Sequence, residues 1–193
     1  MAKRPFSRFG ARLLSVFLLA GCASDATGPV APKATIPPEP SSALLGLLPV
    51  RGVTRAKPLP KDIKVSAVIG QKGGTITIPE AGLTVVVPPS AVSSNTMFTA
   101  TALAGRLVAY DFQPHGTNFA VPLQFTQDLR KTSLTATLTA PLLRGAYFED
   151  ESRLNQQLGL AFVSELLPAT VDLLRFRVSF PIKHFSGYLV SWH

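Results

Sequence analysis

Few residues in this chain of 193 are of a type and spacing that could do chemistry. Cys22 is the only cysteine. It has no partner for a disulfide within the chain, so its sulfur is available as a nucleophile and the fold must rely on packing. The three histidines, His115, His184 and His193, have no ligand-like spacing to one another or to carboxylates, so no metal site is expected. Asp111 close to His115, and the acidic run Glu149-Asp150-Glu151, could act as acid/base groups or calcium ligands. No Asp-Gly-patterned calcium loop accompanies them, and they read as solvated loops. Neither a glycine-rich phosphate loop nor a nucleophile elbow occurs, so no cofactor and no enzymatic activity are expected.

Cys22 is defined by what precedes it. Lys3, Arg4, Arg8 and Arg12 stand without an acid, and Leu13-Leu14-Ser15-Val16-Phe17-Leu18-Leu19 follows as an apolar run that ends in small residues. This is the layout of an export signal, and the run is far shorter than the ~20 residues that cross a bilayer. Leu19-Ala20-Gly21-Cys22 resembles the bacterial lipobox, in which the thiol is alkylated by diacylglycerol, the chain is cut before the cysteine, and the new amine is acylated, for example with palmitate. A competing reading is a secretory peptide cut after Ala23, which would leave the lone cysteine without a purpose. Two or three acyl chains, at about 0.8 kcal/mol per buried methylene, make a stable membrane anchor. Ala23 and Ser24 beside the cysteine resemble lipoproteins sorted to the outer membrane.

The formal charge of +8 would suggest nucleic acid only if position were ignored. Residues 1–21 hold four basic groups and no acid, residues 22–72 seven against three, and residues 73–193 eight against eight. The last stretch is neutral and lacks a basic stripe with interleaved aromatics, so no nucleic-acid partner is expected. Arg51, Arg55, Lys57, Lys61, Lys64 and Lys72 carry the excess, and suit either an anionic envelope surface or plain solvation of a tether.

Eight prolines between Ala23 and Pro60, with Ala, Ser, Thr and Lys between them, predict a disordered tether. The apolar patch Ala43–Leu48 within it reads as a single amphipathic turn docked on the folded head or as a contact site for another protein, with docking favoured. From Ile63 onward the apolar period becomes two. Phe119-Val121-Leu123-Phe125, Leu134-Ala136-Leu138 and Leu174-Phe176-Val178-Phe180 are the clearest cases, and shorter ones lie near residues 63–69, 74–78, 83–87, 96–103, 106–113, 158–163 and 184–192. Pro122 implies a bulge or an edge in its strand, and residues 149–157 read as a surface loop with one helical turn. The prediction is an all-β fold, an antiparallel β-sandwich of about eight to ten short strands at residues 63–193, after a signal peptide at 1–21 and an acylated cysteine and tether at 22–62.

Three segments resemble one family. Gly73-Gly74-Thr75-Ile76-Thr77-Ile78-Pro79 with Leu83-Thr84-Val85-Val86-Val87-Pro88-Pro89-Ser90-Ala91-Val92 is similar to its opening strands, with Ser90 where the family usually has glycine. Tyr110 to Phe119 with Pro122 is similar to its middle, and His184-Phe185-Ser186 to its last strand. The family is the domain shared by zonula occludens protein, netrin receptors and ankyrins (the ZU-five domain), which also occurs in bacterial lipoproteins. The resemblance spans about residues 63–193 and implies a β-sandwich that acts as a protein-interaction scaffold.

In some eukaryotic relatives the triplet matching His184-Phe185-Ser186 is a self-cleavage site, where the serine hydroxyl attacks the phenylalanine carbonyl with help from a histidine and a strained peptide. The other reading makes Phe185 a core residue whose neighbours satisfy backbone groups. The expected function is a membrane-anchored envelope lipoprotein that presents a non-enzymatic binding or structural module. Self-cleavage between Phe185 and Ser186 is one alternative, and glycan binding by exposed aromatics such as Tyr110, Tyr147 or Trp192 is another. The expected partners are a membrane, through acyl chains on Cys22, and an envelope protein or glycan; the sequence leaves the oligomeric state open.

Overall fold

A computed structural model describes residues 47–134 and 142–192. Its strands, in chain order, begin with β1 (Leu48–Gly52), β2 (Thr54–Leu59), β3 (Ile63–Ile69), β4 (Gly74–Ile78), β5 (Leu83–Val87), β6 (Thr96–Ala102), β7 (Gly105–Leu107) and β8 (Ala109–Gln113). They continue with β9 (Asn118–Asp128), β10 (Leu143–Phe148), β11 (Leu154–Asn155), β12 (Leu160–Val163), β13 (Glu165–Pro168), β14 (Thr170–Asp172), β15 (Arg177–His184) and β16 (Gly187–Trp192). The fold is an all-β antiparallel sandwich.

The smaller sheet has the order β14-β15-β9-β5-β4. The larger runs β11-β12-β1-β16-β8-β6-β3, with β10 on the other side of β16 and β13 beyond it, while β2 and β7 form a separate ribbon. Alternation builds the main core. Ile76, Ile78, Leu83, Val85, Leu123, Phe125, Val178 and Phe180 point inward from the smaller sheet and meet Phe98, Tyr110, Phe112, Tyr188 and Val190 of the larger. Each such side chain contributes about 1.5–3 kcal/mol by leaving water.

The larger sheet also buries its other face. Ala109, Ala146, Phe148 and Leu189 join Val50, Leu107, Ala161 and Val163 in a second cluster. Tyr188 and Val190 belong to the first cluster and Leu189 to the second, so β16 is apolar on both faces. Close approach requires Gly145 in β10, where a Cβ would fall 2.6 Å from the Phe180 ring across the sandwich.

Several expectations are corrected. The folded head begins before residue 63: β1 and β2 lie in the stretch read as tether, and Val53 is fully buried. The prolines there fit strands because Pro49 precedes the part of β1 that pairs with β16, at Arg51 and Gly52, and Pro58 lies in β2, which pairs with β7 at Thr54 and Leu59. Of the Ala43–Leu48 patch only its last two residues are described, and Leu48 opens β1 instead of a helical turn. Among the described residues there are sixteen strands, not eight to ten. Strand β10 was invisible as a period-two pattern because Gly145 interrupts it and both its faces are covered. The segment 174–180 becomes a strand only at Arg177, because Asp172 Oδ1 accepts the Arg175 N–H at 2.9 Å and turns the chain, and Phe176 follows with φ of +53°. The strand expected at Leu134-Ala136-Leu138 lies, beyond Leu134 itself, outside the described residues.

Other expectations hold. Pro122 stands in a bulge: Leu123 pairs with Ile182, but the next pair is Asn118 with His184. Glu151–Arg153 forms the single helical turn, a 3₁₀ turn capped by Asp150.

Candidate functional site

The triplet His184-Phe185-Ser186 closes β15 and leads into β16. Phe185 is buried at the centre of an aromatic cluster, with ring centroids 4.6 Å from Phe98, 4.8 Å from Phe119 and 5.4 Å from Phe112. Its backbone is fully used: its N–H donates to Thr117 O at 2.9 Å and its carbonyl accepts the Gly116 N–H at 3.1 Å. The Ser186 hydroxyl, itself buried, donates to Phe148 O at 3.4 Å, and the Ser186 carbonyl accepts the Phe112 N–H at 3.0 Å. The His184 ring stands edge-on to Tyr147 at 4.7 Å, and its Nδ1 lies 3.2 Å from the Tyr188 hydroxyl. That hydroxyl donates to the His184 carbonyl at 2.8 Å. The imidazole is therefore partnered with Tyr188, and the serine with a strand carbonyl. Phe185 and Ser186 are not among the residues with positive φ.

The two acidic candidates, distant in sequence, share one surface. Gly187 pairs with Asp111 on one side and with Phe148 on the other, which carries residues 149–151 toward Asp111. His115 Nε2 lies 2.6 Å from Asp111 Oδ1, and Gln113 Nε2 donates to Asp111 Oδ2 at 3.1 Å. Partial burial, and then the nearby charges of Asp62, Asp111 and Asp150, hold the Glu151 carboxyl above its ordinary range. Asp150 is held below it by hydrogen bonds from Ser152. Among the described residues no group of three or more His, Cys, Asp or Glu is placed to hold a metal ion.

Near Phe185, an open cavity of about 530 Å³ is lined by both polar and apolar residues, among them Gln71, Ser90, Val92, Thr117, Asn118 and Ala120. Ser90, at the position where the resembling family has glycine, takes a φ of +66°.

Sequence reasoning missed a buried polar centre at the opposite end. Arg55, assigned to a solvated tether, is 4% exposed. Its guanidinium donates to Ala81 O, Tyr110 Oη and Ala109 O, each at 3.3 Å, and lies 5.1 Å from the Tyr110 ring centroid. Tyr110 hydrogen-bonds Gln127 and Ala81 O, and Gln127 Nε2 donates to Ala81 O at 3.0 Å. Burial raises the Tyr110 pKa, against the opposing pull of the Arg55 charge. These partners lie 17 to 55 residues apart in the chain, so no local pattern announces them.

Tyr110 is buried and cannot line a glycan groove, and Tyr147 packs on His184 and Tyr188. Trp192 borders a separate hollow with Arg51, Thr54, Arg106 and Leu158. The three aromatics do not form one binding face. Leu19, Ala20, Gly21 and Cys22 lie outside the described residues. Among those described, no helix is long and apolar enough to cross a membrane. No protein-family model matches the chain, and no curated protein matches it.

Proposed function

We propose that the protein is an exported bacterial lipoprotein, held by acyl chains on Cys22, that presents a ZU-five-like β-sandwich as a non-enzymatic protein-binding or structural module at the cell envelope, on the outer membrane. The residue order of Leu19-Ala20-Gly21-Cys22 behind a basic and apolar leader carries the anchor. One observation carries the module: the only serine–histidine pair suspected of chemistry is spent on packing. Phe185 fills the aromatic cluster, Ser186 donates to Phe148 O, and His184 is paired with Tyr188. A positioned base on the serine is what self-cleavage would need, and His184 faces Tyr188 instead.

The test has two arms. Cys22→Ser should move the protein from the membrane to the soluble fraction, and mass spectrometry of the wild-type N-terminus should find an acylated cysteine; an unmodified terminus at Ser24 sinks the anchor. Affinity capture from envelope extract with the full chain as bait should retain a stoichiometric envelope protein, and retention of peptidoglycan fragments alone would favour the glycan reading.

A further inference from the structure

The hairpin that joins β14 to β15 ends in two exposed leucines. Leu174 is 100% exposed and Leu173 58%. Most exposed apolar side chains of a folded domain lie flat on its surface among polar neighbours, and an adjacent pair at a protruding tip is a liability unless something covers it. Four interactions shape the turn beneath the pair. Asp172 Oδ1 accepts the Arg175 N–H at 2.9 Å, and the Asp172 carboxylate pairs with the Arg175 guanidinium at 3.0 Å. Phe176, with φ of +53°, packs against the main core while its carbonyl accepts the Leu129 N–H at 2.9 Å. The turn is thus braced from below, and a left-handed phenylalanine is tolerated to aim the leucines away from the sandwich.

The surroundings of the tip are cationic. Arg130, Lys131, Arg175 and Arg177 are all exposed. Asp128 is bound to Arg130 at 2.7 Å and stands opposite Arg177 across the strands, and Asp172 is bound to Arg175 at 3.0 Å. Lys131 and Arg177 flank the apolar tip, which suits an interface whose headgroups are anionic and whose interior is hydrocarbon.

The topology places this tip at a particular end. Phe180 lies over Gly145, which pairs with Val190. Arg177, three residues before Phe180, and Trp192, two residues after Val190, therefore lie at the same end of the sandwich. Arg51 pairs with Trp192 antiparallel, so Leu48–Val50 extend past that end. The first described strand thus begins at the end of the sandwich that carries the leucines.

We propose that the β14–β15 tip is a membrane-docking element, in which Leu173 and Leu174 enter the interfacial layer of an anionic phospholipid bilayer while Lys131 and Arg177 meet its phosphates. This rests on the reading of the chain as a lipid-anchored envelope protein. The acyl chains hold the protein at the membrane, and the tip sets how the sandwich faces it.

The experiment uses the full chain carrying Leu174→Trp in a Trp192→Phe background, mixed with vesicles of phosphatidylglycerol or of phosphatidylcholine. Two quantities are read: the fraction of protein that floats with the vesicles, and the emission of the introduced indole with its quenching by iodide. A blue shift and protection from iodide are expected on phosphatidylglycerol, with both reduced in high salt, where headgroup attraction is screened. If Trp192→Phe does not fold, the difference in emission between Leu174→Trp and the native chain reads the same quantity. Protein that floats with an unshifted, quenchable indole overturns the docking tip and spares the anchor, the result expected if the leucines instead meet a protein. An equal shift on phosphatidylcholine overturns the anionic assignment. A Cys22→Ser chain that floats as well as the wild type removes the anchor reading, and the indole shift still decides the tip.

Discussion

Phe185, Ser186 and His184 differ in what each gives the fold. Phe185 contacts three other rings in a closed cluster, and Phe185→Ala is expected to lower stability by roughly 3–5 kcal/mol through lost burial and the cavity left behind. Ser186→Ala removes one long hydrogen bond, to Phe148 O, and is expected to cost about 1 kcal/mol or less. Chemical denaturation of both variants checks the ranking. Gel analysis checks the chemistry: the wild type should run as one species under denaturing conditions, and a fragment ending at Phe185 that Ser186→Ala abolishes would restore self-cleavage.

Two buried phenols make the fold sensitive to alkali. Burial raises the pKa of Tyr188, helped by the charges of Glu165 and Tyr147, and burial also raises that of Tyr110. Unfolded tyrosines ionise near pH 10, while the folded ones hold their protons to higher pH. The folded state then binds more protons than the unfolded one, so stability is complete below about pH 10 and falls as pH rises beyond it. The urea midpoint should drop between pH 8 and pH 11, and drop less in Tyr188→Phe. A midpoint equal at both pH values would show that the phenols are not shielded.

At the scale of elements, β1 and β2 decide where the domain starts. Val50 belongs to the second cluster, Val53 to the first, and Arg55 ties β2 to the carbonyls of Ala81 and Ala109. Removal of residues 1–46 is expected to leave a cooperatively folding domain. Removal of residues 1–59 strips these side chains, opens the second cluster and strands the Ala81 carbonyl and Tyr110, with a loss of several kcal/mol by the usual cost of core truncation. Circular dichroism melts of the two truncations separate the outcomes, and equal melting temperatures would return β1 and β2 to the tether.

At the scale of the molecule, the two clusters share a wall. The central strands β8, β10 and β16 give alternate residues to opposite faces, so neither cluster can open without disturbing the sheet that supports the other. Unfolding is therefore expected as one transition. Trp192 emission, at the edge of β16, and far-UV circular dichroism, which sees all strands, should give superimposable denaturation curves. Two separated transitions would mean that the second cluster is a dispensable addition.

Local chemistry and local period were legible in the chain itself. Leu19-Ala20-Gly21-Cys22 resembles a lipobox over four residues, and alternation in Leu83–Val87 and Asn118–Asp128 marks strands with one apolar face, which sufficed for an all-β sandwich. Alternation reports an element only when one of its faces is wet. Strand β10 has both faces covered and a glycine in its middle, so it carries no period, and the prolines of β1 and β2 imitate a tether. Tertiary structure alone decided that Arg55 is buried, because its partners lie 26 to 55 residues away. It likewise decided that His184 faces Tyr188, that Asp111 and Glu151 share a surface, and that Leu173-Leu174 form a tip where alternation indicated a strand. His184 meets Tyr188 across the short β15–β16 turn and Asp172 turns the chain at Arg175, but for Arg55 and for Asp111 with Glu151 the deciding contacts are non-local, formed by strands that meet only once the sheets have assembled.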